Sequence, residues 1–422
     1  MNLIYVFLVI LLLAFNVWTI YNIPVLIVGV RHLLQTRKKR SERLVVFKGE
    51  TPIVSIIVPV KNEEKVIGRL LKALVNLNYP SGKKEIIVVN DGSSDNTGRI
   101  CERYASCYPD IRVFNRTGSS TKAAALNFGL RHAKGEIIAT FDADSVPESD
   151  ALLRAVEYFS DAKVAALQGR ICSINAEENM LTKFLFYEGA VQYEVFLRGK
   201  DRLNLYVGLA GTCQFIRRDM LEELGGWNSK SLSEDYELSL RLTEKDYLIK
   251  YASDVRTWEE SPATFRDLVR QRTRWYRGNI ELSFKFGKLI KKFSWRRFDA
   301  EMTLLGTYVI ALCVLNYFMA AWVLFVPPNL FLILNLIARF TSLFVLATLF
   351  FVGIGLAFLT RPFGFSNLLW LPFMYFYWGF QSFIAVYAFL QIVLRRPMKW
   401  SRAERSGVVT AEIAKKILET AQ

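Results

Sequence analysis

Histidine is almost missing from this chain: His32 and His132 are the only two in 422 residues. Imidazole acid–base catalysis and a His-rich zinc site are thereby all but excluded. Cysteine is sparse as well. Cys101, Cys107, Cys172, Cys213 and Cys313 lack the paired spacing of a metal site, so reduced thiols are the expected state. Glycine-rich phosphate loops are absent too. No Gly-x-Gly-x-x-Gly follows the first strand-like run, and there is no Walker A sequence. A nucleotide would have to be held by carboxylates on base and ribose and by a divalent ion on its diphosphate.

What the chain has in abundance is apolar sequence, unevenly placed. Residues 3 to 30 carry almost no charge. About 20 apolar residues cross a bilayer, so this run is long enough to span with some tilt and a bend near Pro24. A cleaved signal peptide is the alternative, against which stand the length of the run and the lack of a small-x-small cleavage site. Three more apolar runs lie at 301–326, 329–359 and 366–394, divided at Pro327-Pro328-Asn329 and at Arg361-Pro362-Phe363-Gly364. Ala338-Arg339-Phe340-Thr341 interrupts the second run, which is read as one long helix. About four spans are expected in all.

The formal charge of +15 follows those spans. Arg31, Arg37, Lys38, Lys39, Arg40 and Arg43 face only Glu42 within residues 31–44. Residues 265–297 carry eleven Lys and Arg against Asp267 and Glu281. Basic blocks beside spans mark the cytoplasmic side and anionic headgroups, so a lipid bilayer, and not nucleic acid, is the expected partner. The N-terminus is then outside and residues 31–300 inside. Three later spans would leave the C-terminus outside, yet its tail holds Arg395, Arg396, Lys399, Arg402 and Arg405, and the sequence leaves the final count open.

The central half alternates in type. Residues 53–60 form a β-branched run that fits a buried strand. Lys61-Asn62-Glu63-Glu64 opens a helix with Val66, Ile67, Leu70, Leu71, Leu74 and Leu77 at helical spacing. Residues 85–90 form a second strand, followed by Asp91 through Thr97 and another helix, and residues 136–141 form a third, ending on Asp142-Ala143-Asp144. This order indicates a doubly wound α/β sheet, with its polar clusters at the carboxyl ends of strands, where such sheets bind ligands. Two carboxylates at i and i+2 after a strand, with no His or Cys, favour Mg²⁺ or Mn²⁺ bound together with a substrate phosphate. A solvated Asp-rich turn is the alternative. Glu234 and Asp235 stand before a helical run, where they serve either as helix-terminal acids or as a general base for a sugar hydroxyl. The base reading is preferred for Asp235. Gln271-Arg272-Thr273-Arg274-Trp275, on a basic helix, suits a phosphate and a stacked sugar ring better than a core.

In this order the pieces resemble family 2 inverting glycosyltransferases with a GT-A fold, in particular the membrane-embedded processive synthases of cellulose, hyaluronan, chitin oligosaccharide and poly-N-acetylglucosamine. The matching segments are Val58-Pro59-Val60-Lys61-Asn62-Glu63-Glu64, Asn90 through Thr97, Lys122-Ala123-Ala124-Ala125-Leu126-Asn127, Asp142-Ala143-Asp144-Ser145, Gly225-Gly226-Trp227, Ser233-Glu234-Asp235 and Gln271 through Trp275. They cover residues 53–280. The tail Pro397-Met398-Lys399-Trp400 is similar to the poly-N-acetylglucosamine branch. Three departures stand out: Ser233 where Thr is usual, Thr121 in place of Gly before Lys122, and Lys61 where a neutral residue is common. The acceptor-side loop falls on Gly211-Thr212-Cys213-Gln214, with Cys213 read as a small packing residue.

The resemblance implies an α/β, mixed-sheet GT-A domain joined to an α-helical transmembrane region. It places a membrane helix at 1–33, the cytoplasmic domain at 34–264, interfacial helices at 265–298, about three spans at 299–396 and a basic tail at 397–422. Pro59, Glu63, Asp91 and Asp95 would face the nucleoside, and Lys122 and Asp142 the diphosphate. Asp142 and Asp144 would hold Mg²⁺ or Mn²⁺, and Asp235, with Glu234 beside it, would be catalytic. Gln271, Arg272, Arg274 and Trp275 would serve the acceptor and diphosphate. The implied enzyme is a plasma-membrane, multi-pass, metal-dependent transferase. It would move a sugar, UDP-GlcNAc or UDP-glucose being the favoured donors, onto a growing β-linked glycan, with room for a small membrane partner subunit. Single-sugar transfer to a polyprenyl phosphate or other lipid is the rival enzyme, and a non-catalytic nucleotide-sugar sensor or scaffold the rival of another class.

Overall fold

The structure is a computed structural model that describes residues 3–38, 51–117, 121–325, 332–359, 365–397 and Gly407. The chain divides into two compact units. One is made of Met1–Arg40, Ala190–Leu205 and Val269–Lys399, the other of Ser41–Gly189, Tyr206–Leu268 and Trp400–Gln422. The helices, in chain order, are α1 (Leu3–Lys38), α2 (Ile67–Val75), α3 (Thr97–Cys107), α4 (Lys122–Leu130), α5 (Ala151–Glu157), α6 (Met180–Val191), α7 (Arg198–Arg202), α8 (Arg218–Glu223), α9 (Glu234–Glu244), α10 (Phe265–Phe286), α11 (Trp295–Phe325), α12 (Leu332–Leu359) and α13 (Leu371–Val393).

The second unit is built on one mixed sheet. Its strands are β1 (Val54–Val60), β2 (Lys84–Asn90), β3 (Ile111–Asn115), β4 (Ile137–Thr140), β5 (Val146–Pro147), β6 (Val164–Ser173), β7 (Gln214–Arg217) and β8 (Leu248–Glu259), in the spatial order β3-β2-β1-β4-β7-β6-β8-β5. The β1–β2, β2–β3 and β1–β4 pairs are parallel, whereas β7 runs antiparallel to both β4 and β6. β1 and β2 are buried along almost their whole length, which is why they read as unbroken apolar runs and not as alternating ones. Helix α2 lays Ile67, Leu70, Leu71 and Leu74 onto Ile56, Val58, Ile86 and Val88 in one continuous core. Pro59 is tolerated in an interior strand because β4 pairs only as far as Ile57, so the missing N–H falls beyond that ladder.

This topology brings distant segments to one edge. β1, β2 and β4 all end there. Because β7 is antiparallel to β4, with Gln214 opposite Thr140, the residues that precede β7 lie beside those that follow β4. Helix α2 begins at Ile67, later than Lys61-Asn62-Glu63-Glu64 implies. Asn62 takes a left-handed φ of 53°, and its side chain and its neighbours' backbone are tied to the loop after β2 instead of entering a helix.

A side-chain clamp ties α4 to the turn at Gly225-Gly226-Trp227. Gly225 and Gly226 both have positive φ, near 74° and 77°, which glycine alone adopts without strain. They turn the chain so that Asn127 of α4 can grip Trp227 twice: its amide donates to the Trp227 carbonyl at 2.6 Å and accepts from the Trp227 N–H at 2.9 Å. Trp227 is itself buried.

The other unit contains the long apolar helices. Among the described residues, four segments are long and apolar enough to cross a membrane: Val6–Thr36, Trp295–Phe318, Asn335–Leu356 and Phe365–Val393. Helix α1 runs unbroken through Pro24, and α12 through Arg339. Asp299 and Lys200 are buried together, 3.0 Å apart. Tyr21 donates to the same carboxylate at 2.6 Å, and Lys200 also donates to the Thr303 hydroxyl. A charge in an apolar bundle needs such company. The expected breaks at 327–329 and 361–364, part of the basic block at 39–44 and the tail from 398 onward, Gly407 excepted, lie outside the described residues.

Asn127→Ala should strand the buried Trp227 N–H and C=O together, at about 1–3 kcal/mol for each group left unpaired. Thermal unfolding followed by fluorescence should show a midpoint clearly below that of the wild type; an unchanged midpoint would mean that the clamp contributes nothing.

Candidate active site

The carboxyl edge of the sheet is laced by polar side chains. Asn62 receives the Ser94 N–H at 2.7 Å, and the Asn62 N–H goes to the Ser93 hydroxyl. Glu64 and Asp95 reciprocate: the Glu64 N–H donates to Asp95 and the Asn96 N–H to Glu64. Asp95 also accepts the Thr97 N–H at the start of α3. Burial by itself would raise the Asp95 carboxyl, but these hydrogen bonds outweigh it and hold it below the usual value. Asp91 is buried at the end of β2, its N–H on the Val60 carbonyl. Its carboxylate faces Arg116, 3.7 Å away, which stands just after β3. The Glu63 N–H is held by the Thr97 hydroxyl. Pro59, Glu63, Asp91 and Asp95 thus all lie along this edge.

A second cluster centres on Lys122. Thr121 caps α4 through its hydroxyl with ordinary extended backbone, so this position does not need glycine. Lys122 then opens the helix, its ammonium 2.5 Å from Asp142, 3.1 Å from the Gly211 carbonyl and 4.0 Å from Glu234. Burial would lower this lysine, but Asp142, Glu234 and Asp235 together raise it well above its ordinary value and keep it charged. Glu234 and Asp235 open α9, where the helix dipole favours anions. Gly211 is pressed into the same place: its φ is 78°, and an added Cβ would lie 2.9 Å from an Asp235 oxygen and 3.0 Å from the Lys122 ammonium. One cation therefore connects the loop after β4, the loop before β7 and the start of α9.

Beyond Asp142, the turn enters a buried network. The Asp142 N–H reaches the Thr212 hydroxyl, which also bonds Ser145 at 2.9 Å, and Ser145 donates to Glu259 at the end of β8. Glu259 is pushed up to about 8, by burial first and then by Asp144 and Asp142. Among the described residues no three His, Cys, Asp or Glu side chains converge as a ready-made metal cage. Asp142 and Asp144 offer hard oxygens from two positions of one turn. That donor set fits a Mg²⁺-like ion completed by phosphate and water. Cys213, with φ 47°, is fully buried in the core cluster.

Gln271, Arg272, Arg274 and Trp275 lie on α10 in the other unit. The Arg272 guanidinium lies 4.3 Å from the centre of the Trp275 ring, a cation–π stack. Trp275 is exposed, while Tyr276 beside it is buried and donates to Gln381. Sequence reasoning missed Arg116 and Glu259 as site residues, and it placed Thr212 in the acceptor-side loop without its bonds to Asp142 and Ser145. Neither Arg116 nor Glu259 falls in a recognisable pattern, since each meets its partner only through the folded sheet.

A sequence profile described as glycosyltransferase like family 2 matches residues 51–278. The chain belongs to that family. Among curated family 2 relatives, a beta-monoglucosyldiacylglycerol synthase of Trichormus variabilis is 35% identical over 67% of this chain and 62% of its own length. A poly-beta-1,6-N-acetyl-D-glucosamine synthase of Staphylococcus epidermidis is 30% identical over 61% of this chain and 62% of its own. The chain thus spans about three fifths of the curated relatives that it matches. Among solved structures, a mannosyltransferase, PcManGT of Pyrobaculum calidifontis in complex with GDP-Man and Mn2+, aligns with a TM-score of 0.56 at 21% identity. The alignment covers 91% of this chain and all of the other. It establishes the fold as GT-A.

The raised Glu259 has a thermodynamic consequence. The folded chain keeps a proton there that the unfolded chain releases near pH 4.5, so its contribution to stability is full below that value and is lost as pH rises through about 8. In chelator and without donor, the unfolding midpoint of the wild type should fall across this window, by up to about 1.4 kcal/mol of stability per pH unit. Glu259→Gln should give a flatter profile, and parallel profiles would rule out the protonated carboxyl.

Proposed function

We propose that this chain is a membrane-integrated, inverting hexosyltransferase that uses a nucleotide sugar, UDP-GlcNAc or UDP-glucose being favoured, to extend a β-linked glycan. One observation carries the reading: Lys122 stands at once on Asp142 and beside Glu234 and Asp235, so diphosphate cation, acidic turn and base share one point. The nucleoside would lie along the edge formed by Pro59, Glu63, Asp91 and Arg116, with Asp95 holding the loop. Asp235 accepts the proton of the acceptor hydroxyl as that oxygen bonds to the anomeric carbon. The bond from this carbon to the diphosphate oxygen breaks on the opposite face, which inverts the centre. The nucleoside diphosphate departs with the bonding pair, and Lys122 compensates its growing charge. A divalent ion on Asp142 and Asp144 would supply further charge neutralisation there. Gln271, Arg272, Arg274 and Trp275 are assigned to the acceptor and diphosphate, Trp275 as a stacking surface.

The basic blocks support a cytoplasmic catalytic domain at 34–264, an anchor at 1–33, interfacial helices at 265–298 and about three spans within 299–396, in the plasma membrane. A second acceptor reading also has support. The similarity to a beta-monoglucosyldiacylglycerol synthase favours single transfer to a lipid.

The full chain in nanodiscs, offered a panel of UDP-sugars, should release UDP with one or two of them, and chelation should stop it until Mg²⁺ or Mn²⁺ returns. Asp235→Asn should lower turnover by about 10²–10⁴ with UDP affinity retained. Normal turnover in that variant would remove Asp235 as base, and UDP binding without release on any acceptor would favour a sensor. Sizing of the labelled product decides the acceptor: a ladder or long polymer supports glycan extension, a single labelled lipid the other reading.

A further inference from the structure

The second aspartate of the acidic turn is held by two buried residues that take no part in the cluster around Lys122. We infer that Arg69 and Glu260 are positioning residues that set how Asp144 presents its carboxylate to a divalent cation. The inference rests on the proposal that Asp144 is a metal ligand.

Three segments far apart in sequence close a ring here. Arg69 is the third residue of α2, and Glu260 directly follows β8. One guanidinium nitrogen of Arg69 donates to the Asp144 carbonyl at 2.9 Å, the other to the Glu260 carboxylate at 2.8 Å. The Glu260 N–H then returns to the Asp144 carboxylate at 3.2 Å. Backbone and side chain of Asp144 are both gripped, one from α2 and one from the end of β8. The N–H of Gly407 adds a longer contact to Glu260, at 3.3 Å. Side chains of Arg69 and Glu260 are 5% and 1% exposed, so the pair is withdrawn from water.

Stability alone is a weak reason to bury such a pair. Desolvation cancels most of the Coulombic gain, and an apolar pair of similar volume often does as well. What an apolar pair cannot do is aim donors at a backbone carbonyl and a carboxylate from one rigid fork, which is the property that separates arginine from lysine. The neighbouring residue is treated alike: Ser145 is bonded to Glu259. Successive residues of the turn are thus held from one strand end, Ser145 by the Glu259 carboxylate and Asp144 by the Glu260 N–H. Partners of this kind around metal ligands typically contribute 10–100-fold to metal affinity.

The test uses the full chain with UDP present and reads free Mn²⁺ by electron paramagnetic resonance. Glu260→Gln removes the charge and keeps an acceptor; Arg69→Lys keeps the charge and removes the fork. Both should weaken Mn²⁺ by about 10–100-fold, raise the Mn²⁺ concentration needed for half-maximal turnover by a similar factor, and regain near-normal turnover at saturating Mn²⁺. A lesion of folding alone would not be rescued in that way. Lowered unfolding midpoints with unchanged Mn²⁺ affinity in both variants would reduce the ring to a structural tie and overturn the inference. Asp144→Asn separates the two ideas. If it weakens Mn²⁺ while the other two do not, the positioning role alone fails. If it leaves Mn²⁺ binding intact, the metal reading falls and the inference with it.

Discussion

Gathering carboxylates in a half-buried place is unfavourable unless a cation compensates them, and Lys122 is the cation around which the site is arranged. Asp142 arrives from the end of β4, and Glu234 and Asp235 arrive at the start of α9. Without the ammonium their mutual repulsion would drive these loops apart. The constraint propagates outward. To reach all three acids, Lys122 must lie at the first position of α4, which Thr121 secures as a cap and Asn127 anchors one and a half turns later through Trp227. It also explains why residue 211 has no side chain, since anything larger would wedge between ammonium and carboxylate.

The same accounting of charge governs the apolar unit. Lys200 and Asp299 satisfy one another, with Tyr21 and Thr303 filling further positions. Arg198 and Glu194 form a second buried pair at a stretch of wider helical winding, Gln192–Leu197. In both places a full charge is accepted because its counter-charge is in direct contact, and in both the cost of desolvation makes the pair more useful for fixing geometry than for adding stability.

How far the amino-acid sequence announced this depends on whether a feature is local. β1, β2 and β4 were visible because parallel strands buried on both faces must be continuous apolar runs. The polar edge was visible because loops there carry dense Asn, Asp and Ser. The long helices declared themselves by length. The helix start at Lys61 was misjudged for a tertiary reason: Asn62 and Glu64 bond across to residues 93–96, which no periodicity encodes. Nothing local marks Arg69 or Arg116, because their partners, Glu260 and Asp91, lie on other elements. Glu259 and Glu260 acquire meaning only because β5 and β8 pair, which brings a residue 116 positions away onto Asp144.

That last pairing bears on how this segment tolerates change. β8 follows β6 through two irregularities of register, one between Val164 and Ala166 and one between Gly169 and Arg170, and only after them do Ile171, Cys172 and Ser173 meet Thr257, Trp258 and Glu259. A strand exchanges its two faces when it slips by one residue. If a single deletion between Ala252 and Arg256 shifted the strand end by one residue, Glu260 would stand where Glu259 meets Ser145 and Ser261 where Glu260 meets Arg69, so one of the two acids would be lost from the turn. Residue number, more than residue type, decides whether both contacts survive in this stretch, and grafts or chimaeras that join here need to keep it first.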